Sequence, residues 1–271
     1  MAPIVARRGP CANIAVVKRL IIADAHVGQR PGDVRDMISM LLNARDLGVT
    51  EIIYLGDGFR YLIGMSKFWT AGVGEVMAVW RRLRSEGIRI GIIEGNRDFF
   101  LDARDLAAEL DWVGLEFEFV AGSRRFRLVH GDKVNLRDLQ YRFWSTLSKS
   151  RPARVWARML PRPVAVGIVR SMEARLAETN RRFRYHKPLA SLRRAAEEAW
   201  NDGVDVLLWG HFHTRWSYSR DQRAAIILPA WLDTGRAVMI DPEGKAVMVE
   251  KNLTPCGPLL RMDPWSGSTR R

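Results

Sequence analysis

Apolar and polar positions over residues 19–135 alternate between short unbroken apolar runs and amphipathic stretches, as expected of repeated β-α-β units. The runs RLIIA (19–23), EIIYLG (51–56) and IRIGIIEG (88–95) predict buried strands, and EFEFVAG with RRFRLVHG predicts a hairpin. Helical spacing predicts helices over 33–47, 74–86 and 103–110. Farther along, a helix over 189–201 leads into a strand at VDVLLWG (204–210). Two more β-rich pieces follow, AAIILPAW (224–231) and RAVMIDPEGKAVMVE (236–250), the second a hairpin turning at Pro242–Gly244. The tail after Leu253 is rich in Pro, Gly and Ser and is expected to fray. No internal repeat of fixed period interrupts the pattern.

The stretch 136–199 breaks this rhythm. It carries Pro152, Pro161 and Pro163, many arginines, and apolar residues at helical spacing (Val155, Met159; Val166, Val169, Met172, Leu176). It exceeds an ordinary crossover and reads as two or three helices inserted into the core. The expected organisation is a core of 14–135 and 200–251, a basic helical insertion over 136–199, and a flexible tail over 252–271.

Charge sharpens that division. The 271-residue chain has a formal net charge of +13, and the segment from Arg137 to Glu198, with 15 Lys/Arg against 5 Asp/Glu, supplies +10 of it. The basic character is local, so it belongs to one surface rather than to the whole molecule. That surface could be a solvated helical face, a nucleic-acid surface, or a lid touching anionic lipid or diphosphate while its apolar face receives acyl chains. The segment lacks the interleaved aromatic platform of a single-strand binder, which favours the lid and no nucleic acid. Trp144 and Trp156 are its candidates for a lipid boundary, and His186 reads as a surface or packing residue. No window approaches 18 consecutive apolar residues, no secretory signal is evident, and Cys11 and Cys256 stand near opposite ends. A reducing, cytoplasmic setting is expected.

The strand ends carry the chemistry. Strand 19–23 leads into Asp24-Ala25-His26, strand 51–56 into Gly56-Asp57, and strand 88–95 into Gly95-Asn96-Arg97-Asp98. RRFRLV ends at His130-Gly131-Asp132, and VDVLLW at Gly210-His211-Phe212-His213. In open α/β sheets the carboxyl ends of strands line the ligand crevice, so all five clusters can meet. Taken singly each is weak, and a lone H-x-H at a strand end is more often structural than a metal site. The histidine count changes that balance: of five histidines, four (His26, His130, His211, His213) lie in these clusters. Two carboxylates, an amide oxygen and four imidazoles suit a pair of borderline divalent metals. Asp24, His26, Asp57 and His213 would hold one ion, and Asp57, Asn96, His130 and His211 the other. A shared Asp57 suits ions about 3.5–4 Å apart, which lower the pKa of a bridging water and neutralise phosphoryl charge. Asp57, Asn96 and His130 are the expected catalytic ligands, and Asp98 and Asp132 the expected orienting groups.

The ordered set D-x-H, G-D, G-N-R-D, H-G-D, G-H-x-H resembles the calcineurin-like metallophosphoesterase superfamily and spans residues 24–213. Its finer pattern is similar to the UDP-2,3-diacylglucosamine diphosphatases of lipid A synthesis. YLGDGFRYLIG, GNRDFFL and HGDKVNLRDLQYRF resemble three blocks of that family, and MLPRPVAVGIVRSMEARLAETN resembles its helical insertion. The chain departs from it at Leu62, at Met65-Ser66-Lys67, at Asn135, and at Leu176 and Phe183. The resemblance implies a metallophosphoesterase-type α/β/β/α sandwich with an inserted helical lid. It also implies two divalent metal ions, manganese by preference, and hydrolysis of UDP-2,3-diacylglucosamine to UMP and 2,3-diacylglucosamine 1-phosphate. Substrate contacts would fall on Arg97, Asp138, Tyr141, Asn180 and His211. The protein would then sit peripherally on the cytoplasmic face of an inner membrane, its basic lid against anionic lipid. The alternative within the superfamily is another phosphodiester or nucleotide-diphosphate substrate. The alternative outside it is a basic nucleic-acid binder with a vestigial metal site.

Arg97 bears on the substrate. Many members of the superfamily carry histidine there, where it can protonate a poor leaving oxygen. Arginine stays charged and cannot act as that acid, but it can grip phosphate with two parallel hydrogen bonds. A phosphate leaving group needs no proton, so arginine suits a diphosphate.

Overall fold

The computed structural model describes residues 17–134, 149–165, 167, 171 and 188–259. Four strands, β1 (Arg19–Ile22), β2 (Glu51–Leu55), β4 (Arg89–Ile93) and β6 (Trp112–Gly114), run parallel side by side. β12 (Ala237–Ile240), β13 (Ala246–Val249) and β14 (Pro255–Pro258) extend the sheet antiparallel beyond β1, giving the order β14-β13-β12-β1-β2-β4-β6. The short β3 (Leu62–Ile63) and β5 (Asp98–Phe99) pair separately. A second sheet has the order β10-β11-β9-β8-β7. It comprises the hairpin β7 (Glu116–Ala121) and β8 (Arg124–Val129), then β9 (Val206–Trp209), then the hairpin β10 (Trp216–Arg220) and β11 (Arg223–Ile227).

The alternation of side chains along each strand dictates the layers. Leu20, Ile22, Ile52, Tyr54, Ile90 and Ile92 point one way and pack on helices α1 (Asp33–Asp46) and α2 (Ala71–Ser85). Their neighbours Ile21, Ile53, Leu55 and Ile93 point the other way and meet Phe126, Leu128, Val206 and Leu208 of the second sheet. That sheet's outer face is covered in turn by helix Leu189–Asn201, through Leu192, Ala196, Ala199 and Trp200. Strands buried on both faces read as unbroken apolar runs, which is why the sequence shows them so plainly. The result is the expected α/β/β/α sandwich.

The amino ends of the parallel strands are tied by one buried acid. Glu51 accepts from Arg19 Nε at 2.8 Å, Arg89 Nη2 at 2.5 Å and Trp112 Nε1 at 3.2 Å, so it links β1, β2, β4 and β6. Gly91 makes room for that indole: a Cβ there would lie 2.0 Å from Trp112 Cε2.

Four sequence expectations are corrected. The helix expected over 103–110 is a single turn, Arg104–Ala107. AAIILPAW is half strand, ending in a helical turn at Trp231–Thr234 that Gly235 terminates at φ 65°. The tail expected to fray from 252 instead pairs with β13 over Pro255–Pro258, at the sheet edge where a missing N–H costs nothing. Helix Leu189–Asn201 belongs to the sandwich, so the core resumes near residue 188 rather than 200.

In the stretch expected to be an insertion, helix Arg151–Met159 is capped by Ser150, whose Oγ accepts from the Ala153 amide at 3.3 Å. Ala153, Ala157, Leu160 and Ala165 pack on Ile63, Met65, Phe68 and Phe100 of the core. Lys67 donates to the carbonyls of Arg158 (2.8 Å) and Leu160 (2.7 Å), satisfying acceptors that a helix C-terminus leaves open.

Candidate metal centre

Each candidate ligand follows the carboxyl end of a strand: Asp24 and His26 after β1, Asp57 after β2, Asn96 after β4, His130 after β8, and His211 and His213 after β9. The two sheets face each other, so these ends converge. Asp24, Asp57 and His130 are almost completely buried, as is His26. Five of the seven turn sharply, with left-handed backbone at Asp24 (φ 48°), His26 (44°), Asp57 (50°), His211 (69°) and His213 (50°). Left-handed backbone costs energy for such residues, and it persists where packing forces it, typically at functional sites.

The donor atoms face one another. His26 Nε2 lies 3.2 Å from His213 Nε2 and 4.0 Å from Asp57 Oδ2, and His213 Nε2 lies 3.7 Å from Asp24 Oδ1. On the other side, Asn96 Oδ1 is 3.2 Å from His130 Nε2 and 3.0 Å from His211 Nδ1, while His130 Nε2 is 3.8 Å from Asp57 Oδ1. Two groups emerge whose donor atoms all lie within 4.8 Å: Asp24, His26 and His213, and Asp24, Asp57 and His130. Among the described residues Asp24 belongs to both groups, and Asp57 also faces both, with Oδ2 toward His26 and Oδ1 toward His130.

Backbone contacts fix this geometry. Asp98 Oδ2 accepts the amides of Gly95 (2.8 Å) and Asp57 (3.0 Å), and Asp57 Oδ1 accepts the Arg97 amide (2.8 Å). Asp24 Oδ2 accepts the His211 amide at 2.7 Å. Gly95 has to be glycine here, since a Cβ would lie 2.3 Å from Asp57 Oδ1. Gly56, at φ 74°, is in the same position against His130, with a Cβ 2.1 Å from Nδ1.

The electrostatics fit a cation. Burial drives His26 down to about 3 and His211 down to about 4, so both present neutral nitrogen lone pairs. Burial would also lower His130, but Asp57, Asp24 and Asp132 overcome it and raise it to about 9. The carboxylates thus draw positive charge into the centre. Asp57 itself is held low against its own burial by His130, His26 and Arg97, whereas burial and then the Asp57 charge push Asp98 up. Burial likewise raises Asp24, whose Oδ1 has no hydrogen-bond partner, and His26 Nδ1 has none either. A buried oxygen without a donor, facing imidazole nitrogens, is what divalent metal binding would satisfy.

Arg97 is buried beside the cluster, its Nε 3.8 Å from Asp57 Oδ2 and its guanidinium 5.8 Å from the Tyr61 ring centre. Asp132 is buried next to His130. The expected substrate contacts Asp138, Tyr141 and Asn180 lie outside the described residues, as do Trp144 and His186.

Three residues that sequence reasoning did not single out support the site. Asp233 Oδ2 meets His213 Nδ1 at 2.8 Å, and Arg30 Nη2 donates to Asp233 Oδ1 at 3.0 Å. Lys149 donates to Glu94 Oε1 (2.6 Å) and the Gly95 carbonyl (2.8 Å), joining the insertion to the strand end that bears Asn96. No motif marks any of them.

Comparison with known proteins extends the motif resemblance along the chain. A curated UDP-2,3-diacylglucosamine hydrolase of Pseudomonas putida is 26% identical over 236 residues, covering 83% of this chain and 95% of its own length. Proteins of the same name from Pseudomonas fluorescens (28% identity; 83% and 92% covered) and Porphyromonas gingivalis (26%; 78% and 88%) are similar to it as well. No family model matches the chain. Among solved structures, an archaeal phosphodiesterase is similar at 14% identity and a TM-score of 0.45, covering 86% of this chain and 99% of its own. Vps29 of Chaetomium thermophilum is similar at 13% and 0.44, with 88% and 93% covered. The resemblance to the UDP-2,3-diacylglucosamine diphosphatases thus holds over four-fifths of the chain. The expectation of a hydrolase is borne out with it: the relatives are named hydrolases, and among the described residues acidic and imidazole donors gather in two groups that could hold a metal ion.

Proposed function

We propose that this chain hydrolyses the diphosphate of UDP-2,3-diacylglucosamine, releasing UMP and 2,3-diacylglucosamine 1-phosphate. The observation that carries the reading is Arg97 buried against Asp57, beside clustered carboxylate and imidazole donors that could hold a metal ion. Asp24, His26, Asp57, Asn96, His130, His211 and His213 are the proposed ligands, and manganese the proposed metal. Bound ions would lower the pKa of a water and neutralise phosphoryl charge.

The chain's own groups do the rest. Arg97 holds the diphosphate by two parallel hydrogen bonds, and Tyr61 and Asp57 fix its direction. Water, its proton released to solvent, attacks the uridylyl phosphorus; its oxygen stays on UMP, and the P–O bond to the sugar phosphate breaks. The leaving phosphate departs as an anion, which needs no acid where a permanently charged guanidinium stands. Asp138, Tyr141 and Asn180 are the proposed contacts to the glucosamine or its acyl linkages, and His211 is a further proposed substrate contact.

The basic insertion is the proposed lid. Its described helix exposes Val155, Trp156 and Met159 among Arg151, Arg154 and Arg158, the composition of a surface that meets acyl chains and anionic headgroups. Among the described residues no helix is long and apolar enough to cross a membrane. The proposed location is the cytoplasmic face of an inner membrane, held peripherally by this lid.

Turnover of the UDP-lipid with added Mn²⁺, beside bis-p-nitrophenyl phosphate and p-nitrophenyl phosphate, tests the reading. Asp57→Ala and His211→Ala serve as controls. Turnover of the generic esters alone would remove the lipid assignment, and full activity in both variants would remove the two-metal centre.

A further inference from the structure

His213 shows a constraint that the metal-ligand set does not explain. Its Nδ1 lies 2.8 Å from Asp233 Oδ2, 20 residues away in sequence. A carboxylate only accepts, so the proton of this contact sits on Nδ1, which in the neutral ring leaves Nε2 the lone pair. That lone pair faces Asp24 Oδ1 at 3.7 Å and His26 Nε2 at 3.2 Å, the first of the two donor groups.

Asp233 is itself held. Arg30 donates through Nη2 to Asp233 Oδ1 at 3.0 Å and through Nη1 to the Leu232 carbonyl at 2.5 Å. Arg30 is fixed by a tight loop in which Asp33 Oδ2 accepts the amides of Gly28 (3.0 Å), Gln29 (2.9 Å) and Arg30 (2.8 Å). The turn bearing Asp233 is docked on the end of β1, with the Trp231 amide bonded to the Ala23 carbonyl (2.8 Å) and the Leu232 amide to the Asp24 carbonyl (3.3 Å). The carboxylate and the ring therefore rest on the same strand end that presents Asp24 and His26. His130 is oriented in a parallel way, by the Leu55 carbonyl at 3.0 Å from Nδ1, whereas His26 Nδ1 has no partner.

We propose that Asp233, braced by Arg30, is a positioning residue for a bound divalent ion: it fixes the ring and tautomer of His213 so that Nε2 is offered to the metal. The proposal rests on the metal reading of the centre and is independent of the substrate. Carboxylates in this position raise ligand basicity, and their loss typically costs 10–100-fold in metal affinity.

Calorimetric titration of the metal-free full-length protein with Mn²⁺, repeated with Co²⁺ by visible absorption, tests it. The proteins are the wild type, Asp233→Ala, Asp233→Asn, His213→Ala and the double variant Asp233→Ala/His213→Ala. Asp233→Ala should weaken one of the binding steps about 10–100-fold and leave the other within a few-fold. The double variant should bind no more weakly than His213→Ala alone, because Asp233 acts through that ring. Melting of the metal-free proteins separates this from misfolding, and Asp233→Asn, equal in size, supplies the answer if the alanine variant unfolds. Unchanged affinity in both Asp233 variants overturns the proposal, as does additive loss in the double variant. Absence of metal uptake by the wild type overturns the metal reading with it.

Discussion

Oδ2 of Asp98 accepts the backbone amide of Asp57 at 3.0 Å and that of Gly95 at 2.8 Å, joining the ends of β2 and β4 through one buried carboxyl. Asp98 acts on the donor cluster through these backbone amides. It sets the distance between the loop that carries Asp57 and the loop that carries Asn96.

Asp98→Ala should therefore reduce bound metal rather than unfold the sandwich. The two amides would lose their acceptor inside the protein, and the ligand loops would relax apart. Metal affinity, by the same rule that applies to groups supporting ligands, should fall about 10–100-fold. Asp98→Asn keeps an accepting oxygen and should retain much more. Metal content after dialysis, measured by elemental analysis, distinguishes the two. Equal metal content in wild type and Asp98→Ala would contradict this role.

Arg97 gives a substrate-dependent prediction. If the guanidinium holds a diphosphate, Arg97→Ala should lower kcat/KM for the UDP-lipid about a hundredfold, the scale for removing one donor to developing charge. Arg97→His should depress diphosphate turnover more than hydrolysis of aryl esters, because the bidentate grip on the second phosphate is lost while a nitrophenolate leaves without help from either side chain. Steady-state kinetics on both substrate types reads the difference. A uniform loss would point to a structural role for Arg97 through its 3.8 Å contact with Asp57.

These two residues show what the sequence made legible. Asp57, Asn96, Arg97 and Asp98 follow unbroken apolar runs that only doubly covered strands require, so their place at the crevice could be read directly. The four clustered histidines completed the picture. Asp233 and Arg30 stayed invisible because their contact spans 203 residues and joins two irregular turns, where neither period nor motif operates. The edge strand Pro255–Pro258 was hidden for a different reason: proline and glycine signal fraying, yet an edge tolerates both. Helix Leu189–Asn201 was recognised but attached to the wrong unit. Arg193, Arg194 and Glu198 on its exposed face share the insertion's high charge, while Leu192, Ala196 and Trp200 bind it to the core.

Glu51 separates stability from function. It lies at the amino ends of the strands, away from the ligand crevice at their carboxyl ends, and its side chain is fully buried. Glu51→Ala leaves Arg19 buried without its partner, and burial already depresses the Arg19 pKa against the pull of Glu51. Breaking a buried pair in this way costs about 3–5 kcal/mol. For a chain of this size that corresponds to a fall in Tm on the order of 10 °C. Metal affinity measured well below the melting temperature should stay within a few-fold of wild type. A stable variant would mean that Arg89 and Trp112 contribute nothing through Glu51 either.

Glu118 provides the pH test. It accepts from Arg127 Nε at 2.6 Å and from Arg125 Nε at 2.9 Å, clamping β7 to β8, and Arg127 reaches on to Asp202 at 3.2 Å. Burial alone would raise its pKa, but the two guanidiniums outweigh burial and hold it below the usual value. A carboxyl depressed in the folded state binds fewer protons than in the unfolded chain at moderately acid pH. Its stabilisation is therefore complete above the unfolded pKa and fades as pH falls through the folded one. The side chains remain partly solvated, so the contribution is modest, about 1 kcal/mol. Glu118→Gln should lower stability by that amount at pH 7, and the gap to wild type should narrow steadily between pH 5 and the acid limit of folding. Urea unfolding at a series of pH values measures the gap, and one that stays constant or widens on acidification would show that Glu118 acts through packing rather than charge.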